Sequence, residues 1–176
     1  MLRSVLHRLP APLKDAIKAR VYPSPLEEGT IAPEWHLQSW DGSWHRHQAG
    51  RWSVLVFYPG DSTAGCTRQL QEFQAHHARL AELGCDVYAI NPAEAESHRA
   101  FAEANGFTFP LLTDRGGSVA RQFHCTLPIP GSPEILRTVY LLNPERKIRL
   151  ANRGAPPVTA IVRSIEALQQ ASRTGQ

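Results

Sequence analysis

The residue types that could do chemistry converge on one cysteine. In FYPGDSTAGCT, residues 57–67, an apolar run ends, a Pro59-Gly60 loop turns, and Cys66 falls where the spacing predicts the first turn of a helix. A helix N-terminus leaves backbone N–H groups unpaired and carries partial positive charge, and both favour an anion. The anionic form of a thiol is its nucleophilic form. Loops at the carboxyl ends of buried strands are also where open α/β sheets receive ligands. Thr63, three residues before Cys66, brings a hydroxyl that can donate and accept at once. Taken singly, Cys66 would equally suit an inert buried cysteine, and Thr63 a turn or N-cap hydroxyl.

The elements that must position this segment are legible on both sides of it. SVLVFY, residues 53–58, is a nearly continuous apolar run of the kind a strand buried on both faces requires. Leu70, Phe73, Leu80 and Leu83 then recur at helical spacing, which predicts a helix over residues 65–83 stopped by Gly84. The unit repeats as DVYAI (86–90) and a helix over 93–105 closed by Gly106. Thr108 to Leu112 leads into an acidic turn at Asp114 and a helix around 117–123. TVYLLN (138–143) and KIRLANR (147–153) read as strands joined at Pro144-Glu145, and a last helix over 158–171 buries Ile161, Ile165 and Leu168. Upstream, WHLQSWDGSWHRH alternates apolar and polar residues about Asp41-Gly42, a hairpin signature. The order predicts an α/β/α plan in three layers.

Length and composition bound the function. The chain has 176 residues, 42% hydrophobic and 20% charged, which suits one globular domain with its own core. No run approaches the length of a membrane span. A formal charge of +3, spread along the chain, does not call for nucleic acid. Three irregularly spaced cysteines make neither a disulfide framework nor a zinc-type pair. The first 28 residues stand apart as a proline-containing basic extension whose first 25 hold a single acid, Asp15. A short amphipathic helix over residues 12–21 is expected there, with an organellar transit peptide as the competing reading.

The pattern Pro59-x-x-x-Thr63-x-x-Cys66 resembles the active-site motif of the peroxiredoxins. FYPGD and GDSTAGCT are most similar to the bacterioferritin-comigratory (PrxQ) branch, and GTIAPEWHLQSWDG resembles the family's opening hairpin. GCDVYAINPAEAESHRAFAEANGFTFPLLTD resembles its second strand–helix unit, and LRTVYLLN the strand that begins with an active-site arginine, here Arg137. The likeness runs over about residues 29–170. It implies a thioredoxin-like three-layer fold over residues 29–176, with a central mixed sheet and an N-terminal β-hairpin. It also implies a peroxidase that works without metal or cofactor. Cys66 would attack the terminal peroxide oxygen and become a sulfenic acid, Arg137 would stabilise the thiolate and polarise the O–O bond, Thr63 would hold the peroxide oxygens, and Pro59 would shield the sulfur.

A sulfenic acid must be resolved by another thiol. The branch often carries that thiol five residues after the first, where this chain has Gln71, or in a helix about 35 residues on, where residues 100–102 hold no cysteine. Cys85, between a helix and a strand, reads as packing. Cys125, in FHCTLPIPG, a Pro/Gly-containing stretch expected to be a flexible loop, is the remaining internal candidate and would reach Cys66 only after local unfolding of the active-site turn. The expected cycle uses one cysteine and an external reductant: thioredoxin, glutaredoxin or a small thiol. Such chemistry implies a reducing, cytoplasmic setting, and the resemblance implies a monomer or homodimer.

Competing signals are weaker. His45-x-His47 could face a metal from one side of a strand, but no thiol or carboxylate ligand pattern accompanies it. Trp35, Trp40, Trp44 and Trp52 read as packing around the first hairpin. A disulfide oxidoreductase on the same architecture would need a second cysteine at position 69, which is Gln69. A redox sensor signalling through oxidised Cys66 needs the same activated thiol as a peroxidase and separates from it only by rate.

Overall fold

The structure, a computed structural model, describes Pro10, Pro12 and residues 22–127 and 133–174. The helix expected over 12–21 therefore lies, apart from Pro12, outside the described residues. Among the described residues seven strands form one mixed sheet: β1 (Leu37–Ser39), β2 (Trp44–His45), β3 (Trp52–Phe57), β4 (Cys85–Asn91), β5 (Leu111–Thr113), β6 (Thr138–Leu142) and β7 (Ile148–Arg153), in the spatial order β2-β1-β5-β4-β3-β6-β7. β3 lies inside this sheet, fifth of the seven strands. It pairs in parallel with β4 and antiparallel with β6, and all six of its residues are buried. A strand so placed has no wet face, which is why its sequence is an unbroken apolar run.

Among the described residues four α-helices cover the sheet: α1 (Ala64–Glu82), α2 (Ala95–Asn105), α3 (Ser118–Gln122) and α4 (Val158–Thr174). Alternate strand residues feed opposite faces. Val54, Val56, Val87, Ala89, Val139 and Leu141 pack with Leu70 and Phe73 of α1, Phe101 of α2, and Ile161 and Ile165 of α4. Leu55, Phe57, Tyr88, Ile90, Tyr140 and Leu142 pack on the other face with Trp35, Val119 and Phe123. The β3-α1-β4-α2 order and the β6–β7 hairpin follow the expected plan, and β5 adds a strand parallel to β4 where the pattern predicts only a lead into the Asp114 turn. α2 starts two residues later than the spacing predicts, because the Asn91 side chain accepts the Ala93 N–H at 2.6 Å and holds a non-helical turn.

The segment around Asp114 is more elaborate than a single helix. A 3-10 turn, Arg115–Gly117, precedes α3, with Gly116 and Gly117 both left-handed. The fully buried Asp114 carboxylate accepts the N–H groups of Val119 and Ala120 at 3.0 and 2.8 Å, so backbone donors that α3 would leave orphaned compensate a buried charge. The approach to the domain begins before residue 29: Arg153 donates to Pro23 O at 2.6 Å, Leu26 N–H reaches the Tyr140 hydroxyl at 2.9 Å, and Glu28 accepts the Ala151 N–H at 3.2 Å. No helix among the described residues is long and apolar enough to cross a membrane.

Candidate active site

Cys66 is delivered by the junction of β3 and α1. Ser62 turns the chain at φ 58°, Thr63 occupies the extended N-cap position, and the helix starts at Ala64, so Cys66 is its third residue. The Thr63 carbonyl accepts both the N–H and the hydroxyl of Thr67 at 2.9 Å. Its own hydroxyl does not cap the helix; it is exposed, with the Gly60 carbonyl 3.5 Å away. That hydroxyl is thus left to a molecule approaching the turn. Pro59 opens the loop directly after β3 and stands exposed, while Cys66 itself is fully buried beside Tyr58, Leu70 and Phe73.

Arg137 arrives from the other side. β6 runs antiparallel to β3 with Thr138 opposite Phe57, which brings the residue before β6 to the end of β3 from which α1 departs. Its guanidinium forks: Nη2 donates to Cys66 Sγ at 3.2 Å and Nη1 donates to Gln69 Oε1. Gly65 leaves room for this approach, since a Cβ there would lie 3.4 Å from Arg137 Nη2. A fixed cation at the sulfur stabilises the thiolate and any oxyanion that develops beside it. Gln69 was not expected to take part. It is 5% exposed, one helical turn beyond Cys66, and it fixes the plane of the guanidinium. The signal for it in the sequence is a polar residue on the buried stripe of an amphipathic helix.

Asp61 anchors the loop from beneath. Its side chain, 5% exposed, accepts from the Tyr58 hydroxyl at 2.7 Å and Asn91 Nδ2 at 2.9 Å on one oxygen. The other oxygen accepts from the Ser97 hydroxyl at 2.7 Å and lies 3.0 Å from Nδ1 of the buried His98. Burial opposes the charged carboxylate, yet the interactions with His98, Ser97 and Tyr58 prevail and hold it down at about 2. The loop carrying Pro59 and Thr63 is therefore tied to β4 and α2 through one anion. Spacing alone shows no reason to pick out Asp61, because its partners come from two other elements.

The other two cysteines are not brought to this site. Cys125 packs with Phe57, Phe123 and Tyr140 on the opposite face of the sheet from Cys66. It is fully buried, its N–H donates to Ala120 O at 2.7 Å, and its carbonyl accepts from Leu136 at 2.7 Å. The expectation of a flexible loop is thus corrected at Cys125: residues 125–127 are held by a bridge between Thr126 and Ile135, and residues 128–131 of the stretch lie outside the described residues. Burial pushes the Cys125 thiol up to about 12, and Cys85 likewise, at the far end of the core where β4 begins.

The tryptophans do not share one hairpin cluster. Trp35 packs edge-on against Tyr88 at 4.9 Å, Trp52 joins the helix-side core, Arg99 sits 5.4 Å above Trp40, and Trp44 is 60% exposed beside His36. Two-residue alternation sends neighbouring hairpin side chains to different faces, so proximity in sequence did not become proximity in space. His45 engages Ser39 at 3.2 Å, and His47 engages Ser53 at 2.9 Å and Pro144 O at 3.3 Å. Among the described residues no three ligand-type side chains gather as a metal site.

Comparison with known proteins places this geometry in context. Residues 29–151 match the AhpC/TSA family. The chain is 32% identical over 117 residues to peroxiredoxin Q, chloroplastic, of Triticum aestivum, covering 65% of this chain and 54% of that protein. It is 31% identical over 127 residues to peroxiredoxin Bcp of Xanthomonas campestris pv. campestris, covering 66% and 79% of the two chains. The solved structure of the Xanthomonas campestris bacterioferritin comigratory protein, described for its alkyl peroxide reduction activity, superposes with a TM-score of 0.68 at 28% identity, over 76% of this chain and 90% of that one.

Proposed function

Because the chain belongs to the AhpC/TSA family, on its peroxiredoxin Q/Bcp branch, we propose that it is a thiol-dependent peroxidase whose nucleophile is Cys66. The observation that carries this reading is the Arg137 guanidinium 3.2 Å from the Cys66 sulfur, at the first turn of the helix that follows the buried strand β3. The thiolate attacks the terminal oxygen of a hydroperoxide and the O–O bond breaks. The departing alkoxide or hydroxide takes a proton, and the sulfur, oxidised by two electrons, becomes a sulfenic acid. Arg137 stabilises the thiolate and the charge that spreads onto oxygen. The Thr63 hydroxyl, uncommitted to the helix cap, aligns the peroxide, and Pro59 limits water at the sulfur.

Hydrogen peroxide and organic hydroperoxides share the group this site addresses. Cys125 and Cys85 are buried away from Cys66, so an external thiol (thioredoxin, glutaredoxin or a small thiol) condenses with the sulfenic acid and releases water, and a second thiol frees Cys66. Residues 29–176 form the catalytic unit, monomeric or homodimeric, working in a reducing compartment such as the cytoplasm, and the basic residues before it are an extension. A disulfide oxidoreductase is disfavoured because the place of its second thiol is taken by Gln69, which holds Arg137. The experiment is stopped-flow reaction of reduced protein with hydrogen peroxide and an alkyl hydroperoxide. A second-order rate orders of magnitude above that of a free thiolate is expected, and a rate no faster than a free thiolate refutes the proposal.

A further inference from the structure

A second site stands at the opposite end of the sheet. β3 starts at Trp52 and ends at Phe57, next to the loop that delivers Cys66, and β6 starts beside Arg137 and ends at Leu142. The far ends of these strands, roughly 17 Å away by strand rise, adjoin a cavity of about 390 Å³ lined by Glu34, Trp35, Arg46, His47, Gln48 and Arg146.

Two side-chain N–H groups behind this wall have no acceptor. The indole Nε1 of Trp35, a residue 5% exposed, and Nε of Arg146 are both buried without a hydrogen-bond partner. Unpaired buried N–H groups are uncommon in folded proteins and cost stability unless something accepts them. Arg46 is exposed and makes no ion pair or hydrogen bond among the described residues. Arg146 is opposed by one carboxylate, Glu34, at 2.8 Å through Nη1 alone, and that carboxylate is 84% exposed. His47 adds no charge: its two nitrogens are occupied by Ser53 and Pro144 O, and burial lowers its affinity for a proton. Among the lining residues two guanidiniums face one solvated carboxylate, while Glu145 and the Arg51-paired Asp86 act on His47 from outside the lining.

We propose that this cavity binds a compact oxyanion with two or more negative charges, either a phosphate group or a small polycarboxylate. Its oxygens bridge Arg46 and Arg146 and displace the Glu34 carboxylate from Arg146. Arginine forks suit such oxygens by charge and by geometry. The site lies too far from Cys66 for its occupant to act as peroxide or reductant, so it belongs to control or stabilisation of the domain rather than to turnover.

The test is isothermal titration of the full chain with inorganic phosphate and, in a separate arm, with citrate, against chloride at matched ionic strength. Saturable binding of one or both anions and none of chloride is expected, and the stronger arm identifies the ligand class. Arg46→Gln should weaken binding roughly tenfold, with an unchanged rate of reaction between peroxide and Cys66. Glu34→Gln should tighten it by removing the competitor. No saturable binding of either anion up to roughly 10 mM, or binding that Arg46→Gln leaves unchanged, overturns the proposal. Arg46 is exposed, so that variant reads the site without endangering the fold.

Discussion

Arg137 and Cys66, 71 residues apart, meet through one N–H···S contact of 3.2 Å, and the same guanidinium is held from behind by Gln69. The cation is therefore oriented before any peroxide arrives, which is the condition under which a donor lowers a barrier most. Arg137→Ala should slow the reaction of reduced protein with peroxide by roughly two to three orders of magnitude, on the order of 3 kcal/mol for a preorganised donor. Arg137→Lys keeps the charge but has no fork to span Gln69 and the sulfur, so it should recover only part of that loss. Stopped-flow rates under pseudo-first-order conditions separate the two. Cys66→Ser should show no peroxide reaction.

Resolution can be read by mass. Cys125 sits on the other face of the sheet from Cys66, and burial pushes its thiol up to about 12, so little thiolate is present to attack a sulfenic acid. Peroxide-treated protein should therefore carry sulfenic acid, or a mixed disulfide with added thiol, at Cys66. Cys125→Ser should retain turnover with the same reductant. An internal Cys66–Cys125 disulfide in the peptide map would reverse the assignment of an external reductant.

The loop anchor carries a pH signature. Asp61 titrates at about 2 in the folded chain, below its usual carboxylate value, because His98, Ser97 and Tyr58 outweigh the opposing effect of burial. A depressed acid stabilises the fold above the unfolded value near 4, and the contribution fades as pH falls toward 2. Urea unfolding between pH 5 and 2 should show a loss on the order of 2 kcal/mol that is absent from Asp61→Asn. An identical pH dependence in the two proteins would show that the carboxylate is not held as described.

Backbone strain provides a test away from the chemistry. Gly117 has φ 69°, and a Cβ there would lie 2.5 Å from Cβ of Pro133, whereas Gly116, at φ 72°, has nothing within 4 Å. Gly116→Ala should cost about 1 kcal/mol, for the left-handed conformation alone. Gly117→Ala adds a clash and should cost about 2–3 kcal/mol, lowering the melting temperature by roughly 4–12 °C. Equal melting temperatures for the two variants would contradict the close approach of Pro133.

Most of the elements, and the candidate nucleophile, are legible in short stretches of sequence, because the information for both is local. An apolar run long enough for β3, a stripe of Leu70, Phe73 and Leu80, and glycines at 84 and 106 specify strand, helix and stops within a few residues. The placement of Cys66 at the first turn of a helix follows from the same short range. Tertiary structure decided which distant groups share the site. The register of β6 against β3 brings Arg137 to Cys66, and no periodicity in the chain encodes a register between strands about 80 residues apart; only resemblance pointed to the arginine. The sheet also decided that Cys125 belongs to the face away from Cys66, and that Gln69 and Asp61 are positioning groups rather than surface polar residues. Hydrogen bonds of this kind join elements only after hydrophobic burial has fixed how the layers stack, and that step lies beyond any local pattern.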